Sequence, residues 1–299
     1  MSGLDSVGVG ITTKDRWEDL EVTLIRLRES GLDCLETVVI DDGSAIPAPA
    51  KLREQFPRIR FIRFESSQGL IAQRNRIAKL LSTPLILGLD DDSFPVEGSL
   101  GAAADWMLNR PKVVALAFQI IFKNESPPVN FATTAPFPVR DYIGCGNLVR
   151  RDLFLSLGSY EERFEFFTEE AEFCLRAIQQ GYEIYAYPGF VIRHNLSPVA
   201  RNHPQRAEKF IRNEMLMALW HFPMPESFLR AGRAFPAMLI KNPALRKNWL
   251  SLLKGYLEAP IQYLRWPHNK QRLSFQQFQV WKKLPMAAQV VMGIKQEFP

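Results

Sequence analysis

The sequence predicts an α/β fold: a mostly parallel sheet flanked by helices, followed by a helical C-terminal segment. Short apolar runs alternate with helix-length segments through residues 7–122, the pattern of strands joined by crossover helices. Acidic residues directly follow two of these runs, at residues 41–42 and 90–92. Beyond residue 200, prolines separate helical segments rich in Leu, Met and Trp. We therefore divide the chain into an α/β domain (1–204) and a helical extension (205–299).

The elements of the first part follow from hydrophobic periodicity and turn residues. Each predicted strand is a short apolar or alternating run, and the strands cover residues 7–12, 37–40, 59–64, 84–90 and 113–122. Predicted helices carry apolar residues at spacings of three and four, and they cover residues 17–30, 68–81 and 97–109. Since strand and helix alternate, right-handed crossovers should place helices on both faces of a parallel sheet.

The second part begins with a predicted loop at residues 123–141, which holds four prolines and has no clear periodicity. The segment at 142–151 contains two glycines that allow close backbone approach. A helix is predicted within residues 164–180, with Thr168 as its N-cap and Gly181 at its end. Strand-like runs at 182–187 and 190–193 lead to His194.

The stretch PLILGLDDDSFP at residues 84–95 is the strongest candidate for a functional site. Its apolar run predicts a strand buried on both faces, and ligands bind at the carboxyl ends of such strands. The negative charges of the three aspartates that follow repel one another and raise each other's pKa. A bound Mn²⁺ or Mg²⁺, which prefers oxygen ligands, would remove this repulsion. Such ions commonly bind substrate phosphates as well, so a nucleotide is the expected partner. A solvated acidic loop is the alternative interpretation.

Composition limits the class of protein. With 299 residues and 46% hydrophobic content, the chain can bury a substantial core. Its three cysteines form no close pair, which argues against a disulfide framework or a cysteine-based zinc site. The N-terminal residues lack a signal-peptide pattern, and no apolar window is long enough to span a bilayer. We expect a cytoplasmic protein.

Charge is distributed unevenly along the chain. Residues 201–299 hold 16 Lys and Arg against 5 Asp and Glu, a net charge of +11, whereas residues 1–200 carry a net charge of −6. Aromatic residues alternate with the basic ones, which is typical of helices that lie on anionic membrane surfaces. A helical appendage packed on the first domain is the alternative. Nucleic acid is not an expected partner, because no recognition motif is present.

Seven segments, in order, resemble the family 2 glycosyltransferases of the GT-A fold. They are ITTKDRWEDL, VVIDDGS, QGLIAQRNRIA, LGLDDDSFP, GCGNLVRRDLFLSLGSYEERF, TEEAEFCLRAIQQGY and VIRHN. Each is common by chance, but their shared order is specific, and the resemblance covers residues 7–220. The chain is also similar to rhamnosyltransferase-type enzymes that build bacterial surface polysaccharides.

The resemblance implies roles for individual residues. It places Thr13, Asp41 and Arg74 at the nucleotide, Asp90 at the ribose, and Asp92 with His194 at the metal that bridges the donor phosphates. Asp91, Gly144, Gly146 and Asn147 would line the donor-sugar and acceptor side.

The resemblance also implies a general base at the start of the helix near residue 170. The family usually has a Glu-Asp pair there, whereas this chain has Glu169-Glu170, so Glu170 replaces the aspartate. Because glutamate is longer by one methylene, the sequence leaves open which of the two carboxylates is the base.

The expected function is inverting, metal-dependent transfer of a hexosyl or deoxyhexosyl group from a nucleoside-diphosphate sugar of UDP, dTDP or GDP type. The acceptor hydroxyl would belong to a glycan or a lipid-linked acceptor in polysaccharide or glycoconjugate assembly. Transfer to polyprenyl phosphate is an alternative, favoured by the basic C-terminal segment. A non-catalytic nucleotide- or carbohydrate-binding scaffold is another.

Overall fold

The structure is a computed structural model that describes residues 3–127, 134–197, 204–241, 247–266 and 271–288. The described strands are β1 (Val7–Thr13), β2 (Glu36–Asp41), β3 (Arg60–Arg63), β4 (Leu85–Asp90), β5 (Ser93–Gly98), β6 (Val113–Phe122), β7 (Phe137–Val139), β8 (Asn147–Arg150) and β9 (Glu183–His194). The described helices are α1 (Trp17–Glu29), α2 (Ala50–Gln55), α3 (Leu70–Leu80), α4 (Leu100–Leu108), α5 (Arg151–Ser156), α6 (Glu169–Gln179), α7 (Pro204–His221), α8 (Glu226–Lys241), α9 (Trp249–Arg265) and α10 (Phe275–Lys283).

The strands form one mixed sheet in the order β3-β2-β1-β4-β8-β6-β9-β5, with β7 paired to β9. Strands β3, β2, β1 and β4 are parallel, and so are β6 and β9. In the parallel register Thr13 lies opposite Asp41, and Thr12 lies opposite Asp90. Three polar strand ends therefore meet at one edge, as the sequence predicted.

The half of the sheet beyond β4 contains antiparallel strand pairs, which the alternation of strand and helix patterns in the sequence did not predict. Strand β8 runs antiparallel to both β4 and β6, while β5 and β7 run antiparallel to β9. Strand β9 ends at His194, which pairs with Ser93 of β5 and with Phe122 of β6. These pairings bring the end of β9 beside the aspartates that follow β4.

Three predicted elements differ in the structure. The helix expected at residues 97–109 starts only at Leu100, because the segment after the aspartates forms β5. The loop expected at 123–141 contains β7, and its residues 128–133 lie outside the described residues. Thr168 does occupy the N-cap position of α6, but its φ of 72° is left-handed and its side chain makes no capping hydrogen bond. Its hydroxyl instead contacts Glu214 Oε1 at 3.4 Å.

Helices cover both faces of the sheet. On one face α1, α2 and α4 bury Leu24, Leu52 and Met107 against sheet residues such as Val9 and Leu87. On the other, α3 and the helices from α5 onward enclose a second core whose members include Ile77, Phe173 and Trp220. Helix α7 thus contributes to a core shared with the α/β domain.

The C-terminal aromatic residues mostly fill this second core. Trp220 is fully buried, and its ring is stacked on Phe164 with centroids 5.6 Å apart. Phe222 contacts both Phe278 and Trp281 of α10. Packing on the domain, the alternative weighed from the sequence, therefore accounts for these side chains. No described helix combines the length and apolar character needed to cross a bilayer.

Helix α7 also holds the loop that precedes α6. The side chain of Asn213 is fully buried, and it donates to the carbonyls of Phe164, Phe166 and Phe167 at 3.0, 2.8 and 3.1 Å. Arg212 donates to the carbonyl of Phe164 at 3.1 Å. Two loop residues, Glu165 and Phe167, have positive φ values of 62° and 67°, a costly conformation for residues with a side chain. Contacts from α7 therefore fix the backbone from which Glu169 and Glu170 project.

A buried charged cluster joins α6 and α7. Glu172 accepts hydrogen bonds from Arg176 at 2.8–3.0 Å, and its Oε1 lies 2.9 Å from His221 Nε2. Glu172 and His221 are both fully buried. Because a buried carboxylate requires such partners, Glu172 is a structural residue that ties the two helices together.

The stacked Trp220 provides a test of the shared core. We expect Trp220→Ala to lower the free energy of unfolding by about 3–5 kcal/mol, because it removes a large buried ring and leaves a cavity. Trp249→Ala is the matched control: this tryptophan is 48% exposed, and its loss should cost less than about 1 kcal/mol. Chemical denaturation measures both. Equal effects of the two substitutions would show that α7 is not part of the core.

Asn213 provides a test of whether α7 holds the loop before α6. Asn213→Ala removes the side-chain donor to the carbonyls of Phe166 and Phe167 and one of the donors to that of Phe164, so we expect a loss of about 1–3 kcal/mol and faster amide exchange across residues 163–170. The control is Asn109→Ala, because Asn109 is exposed and its Nδ2 donates to one carbonyl, that of Asp105. Hydrogen exchange followed by mass spectrometry gives the comparison. Unchanged exchange in the 163–170 segment would contradict the bracing role.

Candidate active site

The candidate site lies at the carboxyl edge of β1, β2 and β4. Thr13, Asp41 and Asp90 end these adjacent strands. Asp41 accepts a hydrogen bond from the amide of Ser44 at 2.8 Å and faces Arg63 at 3.3 Å. These two partners hold the Asp41 carboxylate rigidly at the edge, where the resemblance had placed a nucleotide contact.

Asp42, the second of the two acidic residues that the sequence places at the end of β2, organises the loop before α3. It accepts hydrogen bonds from the side chains of Ser67 and Gln73 and from the amides of Gln68 and Gly69, at 2.5–3.0 Å. Burial alone would raise the pKa of Asp42, but these hydrogen bonds bring it below its usual range. The carboxylate therefore fixes the start of the helix that carries Arg74.

Arg74 is the centre of the site. From α3 it donates to Asp90 at 2.8 Å, to Glu170 at 2.9 Å and to Glu169 at 3.1 Å. Burial would lower the pKa of Arg74, but the three carboxylates raise it well above its usual value. One guanidinium thus joins the end of β4 to the start of α6, and the predicted residues Arg74, Asp90, Glu169 and Glu170 form one cluster.

The two glutamates of this cluster have different environments. The side chain of Glu169 is 3% exposed, and that of Glu170 is 16% exposed. Burial, together with the charge of Glu170, raises the pKa of Glu169 to about 8, although Arg74 opposes the shift. Burial also raises the pKa of Glu170, again against Arg74. Glu170 is the more accessible of the two carboxylates.

Asp91 lies below the surface of the site. It is fully buried and pairs with Arg16, whose Nε and Nη2 approach its two oxygens at 3.0 and 2.6 Å. Burial raises the pKa of Asp91 to about 8, while Arg16 and the Thr13 hydroxyl act in the opposite direction. The sequence reasoning missed Arg16, although a basic residue just after β1 was the available signal.

Asp92 faces the end of β9. Its Oδ1 lies 3.1 Å from His194 Nε2, and its Oδ2 accepts a hydrogen bond from the Ser197 amide at 2.8 Å. Burial would raise the pKa of Asp92, but the contacts with His194, Ser197 and Arg16 hold it well below its usual range. The structure therefore brings together the two residues that the resemblance had assigned to a metal.

A second arrangement of possible metal ligands includes Asp90. Atoms of Asp90, Cys145 and His194 that could bind a metal all lie within 4.8 Å of one another. Cys145, which the sequence did not single out, approaches His194 Nδ1 with its sulfur at 3.4 Å. Burial raises the pKa of its thiol well above the usual value. Of these three groups, the carboxylate oxygen is the ligand type that best suits Mn²⁺.

The glycine-rich segment before β8 lies against the same cluster. A Cβ atom at Gly144 would collide with the Glu170 carboxylate and the Arg74 guanidinium, so a larger residue there would displace these two side chains. At Gly146 a Cβ would press on Ile120 and Ile192 instead. Asn147 is buried and donates to the carbonyls of Ile143 and Gly144 at 3.0 Å. Gly144 thus borders the carboxylates, whereas Gly146 and Asn147 shape the backbone behind it.

Two cavities of the described residues lie near or beyond this site, and neither of the two is placed and sized to enclose a sugar nucleotide there. A void of about 40 Å³, below Arg74 and beside Gly88 and Tyr160, is too small. A groove of about 430 Å³ lies at the C-terminal end of α6, lined by residues including Arg176 and Gln271, far from the carboxylates at the N-terminal end.

This edge of the sheet carries carboxylates that could accept a proton. It also carries an imidazole and further carboxylates that could hold a cation. A partly exposed Glu170 beside an edge that could hold a cation would suit group transfer from a phosphorylated donor.

The chain is similar in fold to several solved glycosyltransferases. GalNAc-T7, solved with UDP, GalNAc and Mn²⁺, aligns over 94% of this chain with a TM-score of 0.64 and 14% identity, and the chain spans 58% of that protein's length. A mannosyltransferase from Pyrobaculum calidifontis, solved with GDP-mannose and Mn²⁺, aligns over 87% of each chain with a TM-score of 0.55 and 15% identity. S. aureus TarS residues 1–349 with UDP-GlcNAc aligns over 85% of this chain and 81% of its own, with a TM-score of 0.57 and 15% identity.

At the sequence level, no curated protein matches the chain significantly. The glycosyl transferase family 2 model matches residues 8–158, just over half of the chain. This range contains β1 to β8, and with them Arg16, Arg74 and the three aspartates. The chain belongs to glycosyl transferase family 2, and it is a glycosyltransferase.

Proposed function

We propose that the protein transfers one sugar from a nucleoside-diphosphate sugar to an acceptor hydroxyl, with inversion at the anomeric carbon. The observation that carries the proposal is the Arg74 cluster, in which Glu170 lies 2.9 Å and Asp90 2.8 Å from the same guanidinium. A proton acceptor is thereby held next to the strand end where a donor's ribose and phosphates would bind.

The proposed donor site follows the edge of the sheet. Thr13, Asp41 and Arg74 would contact the nucleoside, and Asp90 the ribose. Similar folds bind UDP and GDP with their sugars, so a UDP, dTDP or GDP sugar is the proposed donor class. Asp91, which is buried against Arg16, would support the donor site from below. Gly144 would border the transferred sugar.

The proposed cation is Mn²⁺ or Mg²⁺, held by Asp92 and His194 with Asp90 nearby. Bound there, it would act as a Lewis acid that stabilises negative charge on the departing diphosphate. The contact of Asp92 with His194 at 3.1 Å supports this set, because a shared cation satisfies two ligands that already lie together. Arg16, 3.5 Å from Asp92, balances the remaining negative charge.

Glu170 is the proposed general base, and Glu169 its buried neighbour. The acceptor oxygen would bond to the anomeric carbon as the bond from that carbon to the phosphate oxygen breaks. Glu170 would take the hydroxyl proton, and the nucleoside diphosphate would leave with the bonding electrons. The greater exposure of Glu170 supports this choice over Glu169. A pKa raised by burial also makes the carboxylate a stronger base near neutral pH.

The proposed acceptor is a growing glycan or a lipid-linked acceptor at the inner face of a membrane, in polysaccharide or glycoconjugate assembly. The net charge of +11 in residues 201–299 supports an anionic surface nearby. Transfer to polyprenyl phosphate is a second candidate on the same grounds, and it would require a lipid-linked acceptor for activity. A non-catalytic scaffold would instead bind nucleotide without turnover of any donor.

Amide substitutions test the proposed chemistry. We expect Glu170→Gln to lower transfer by about 10²–10⁴-fold, because the amide cannot accept the proton. Asp92→Asn should abolish transfer, because the amide is a poorer ligand for the proposed cation. A screen of UDP, dTDP and GDP sugars that follows release of nucleoside diphosphate and formation of the glycosylated acceptor would measure both.

The matched controls are Glu54→Gln and Asp33→Asn, which make the same chemical changes at exposed positions outside the cluster. Both controls should retain full activity. Thermal unfolding should show an intact fold in all four variants. Full activity in both Glu170→Gln and Asp92→Asn would rule out the proposed mechanism.

A further inference from the structure

Helix α9 carries an apolar stripe on its outer face. Leu250, Leu257, Ile261 and Leu264 are 63%, 59%, 48% and 84% exposed. Their spacings of seven, four and three residues place them on one side of the helix. We call these four residues the α9 stripe. Four large aliphatic side chains exposed on one face of a single helix are more than the singly scattered apolar residues that are normal on a water-facing surface.

The opposite side of α9 already makes its packing contacts within the protein. Leu252, Gly255 and Ala259 are buried. Gly255 approaches α7 so closely that a Cβ atom there would collide with the carbonyl of Glu208. The α9 stripe is therefore not needed to attach the helix, and its apolar character requires another explanation.

The charges around the α9 stripe are basic. Lys254 and Arg265 are exposed and border the stripe on α9, and exposed Lys247 lies just before the helix. Lys254 also pairs with Glu208 of α7 at 2.8 Å. The one acidic residue of α9, Glu258, is partly buried and pairs with Arg212 of α7 at 3.3 Å. Trp249, half exposed at the start of the helix, is a residue type enriched where protein meets lipid headgroups.

We propose that the α9 stripe is a docking surface for an anionic membrane, with α9 lying in the plane of the headgroups. An apolar row bordered by Lys and Arg matches the two parts of such a surface, acyl chains below and phosphate charges above. Pairing with a second copy through the same stripe would bring like charges together, which is unfavourable. The proposal concerns binding alone and does not depend on the transfer reaction.

The experiment measures co-sedimentation of the full chain with vesicles of phosphatidylcholine, with and without phosphatidylglycerol. We expect binding to the anionic vesicles that weakens as salt is added, and little binding to neutral ones. The variant Leu257→Gln with Leu264→Gln should weaken the vesicle affinity at least about tenfold, because two apolar side chains no longer enter the lipid.

The matched control is Val22→Gln with Ile46→Gln, which changes two aliphatic residues that are 42% and 72% exposed on the α/β domain. This control should bind vesicles like the original chain, and both variants should keep the original thermal midpoint. Equal binding by the stripe variant and the control would overturn the proposal. So would sedimentation equilibrium that shows a dimer lost only in the stripe variant, since that result would assign the stripe to a second copy.

Discussion

The arrangement of the site depends on the ion pairs of Arg74. Carboxylates from the end of β4 and the start of α6 would repel one another if no cation lay between them. Arg74 contacts all three, Asp90, Glu169 and Glu170, within 3.1 Å. Because the guanidinium is planar and has five N–H donors, it can satisfy several acceptors at fixed angles. Arg74 therefore balances the charge of the cluster. It also sets the distance between Asp90 at the end of β4, where the donor is proposed to bind, and the proposed base Glu170.

The rest of the structure holds the two ends of this cluster. Asp42 fixes the loop from which α3 and Arg74 begin. On the other side, Asn213 of α7 fixes the loop before α6, and the buried pair of Glu172 and His221 joins the two helices. The first helix of the C-terminal segment thus supports the Arg74 cluster, while α9 presents its exposed stripe outward.

Local patterns predicted the elements of the parallel half well, because each buried strand and amphipathic helix has its own periodicity. The aspartates after β4 and the glutamates at the start of α6 were likewise visible as motifs. The antiparallel strands β5 and β7 were not, since pairing with β9 is decided by distant residues. For the same reason Arg16 and Cys145 were missed: each is ordinary in sequence and meets its partner only in three dimensions.

The central claim, that this acidic edge binds a metal–nucleotide pair, is tested most directly by thermal unfolding with UDP, dTDP, GDP and CMP, each with Mn²⁺ and with a chelator. A ligand at about 100 times its Kd adds about 2.7 kcal/mol, which should raise the midpoint by several degrees. We expect one diphosphate to stabilise the protein only when Mn²⁺ is present, and Asp92→Asn to remove the effect. Stabilisation that is the same with chelator, or that survives in Asp92→Asn, would contradict it.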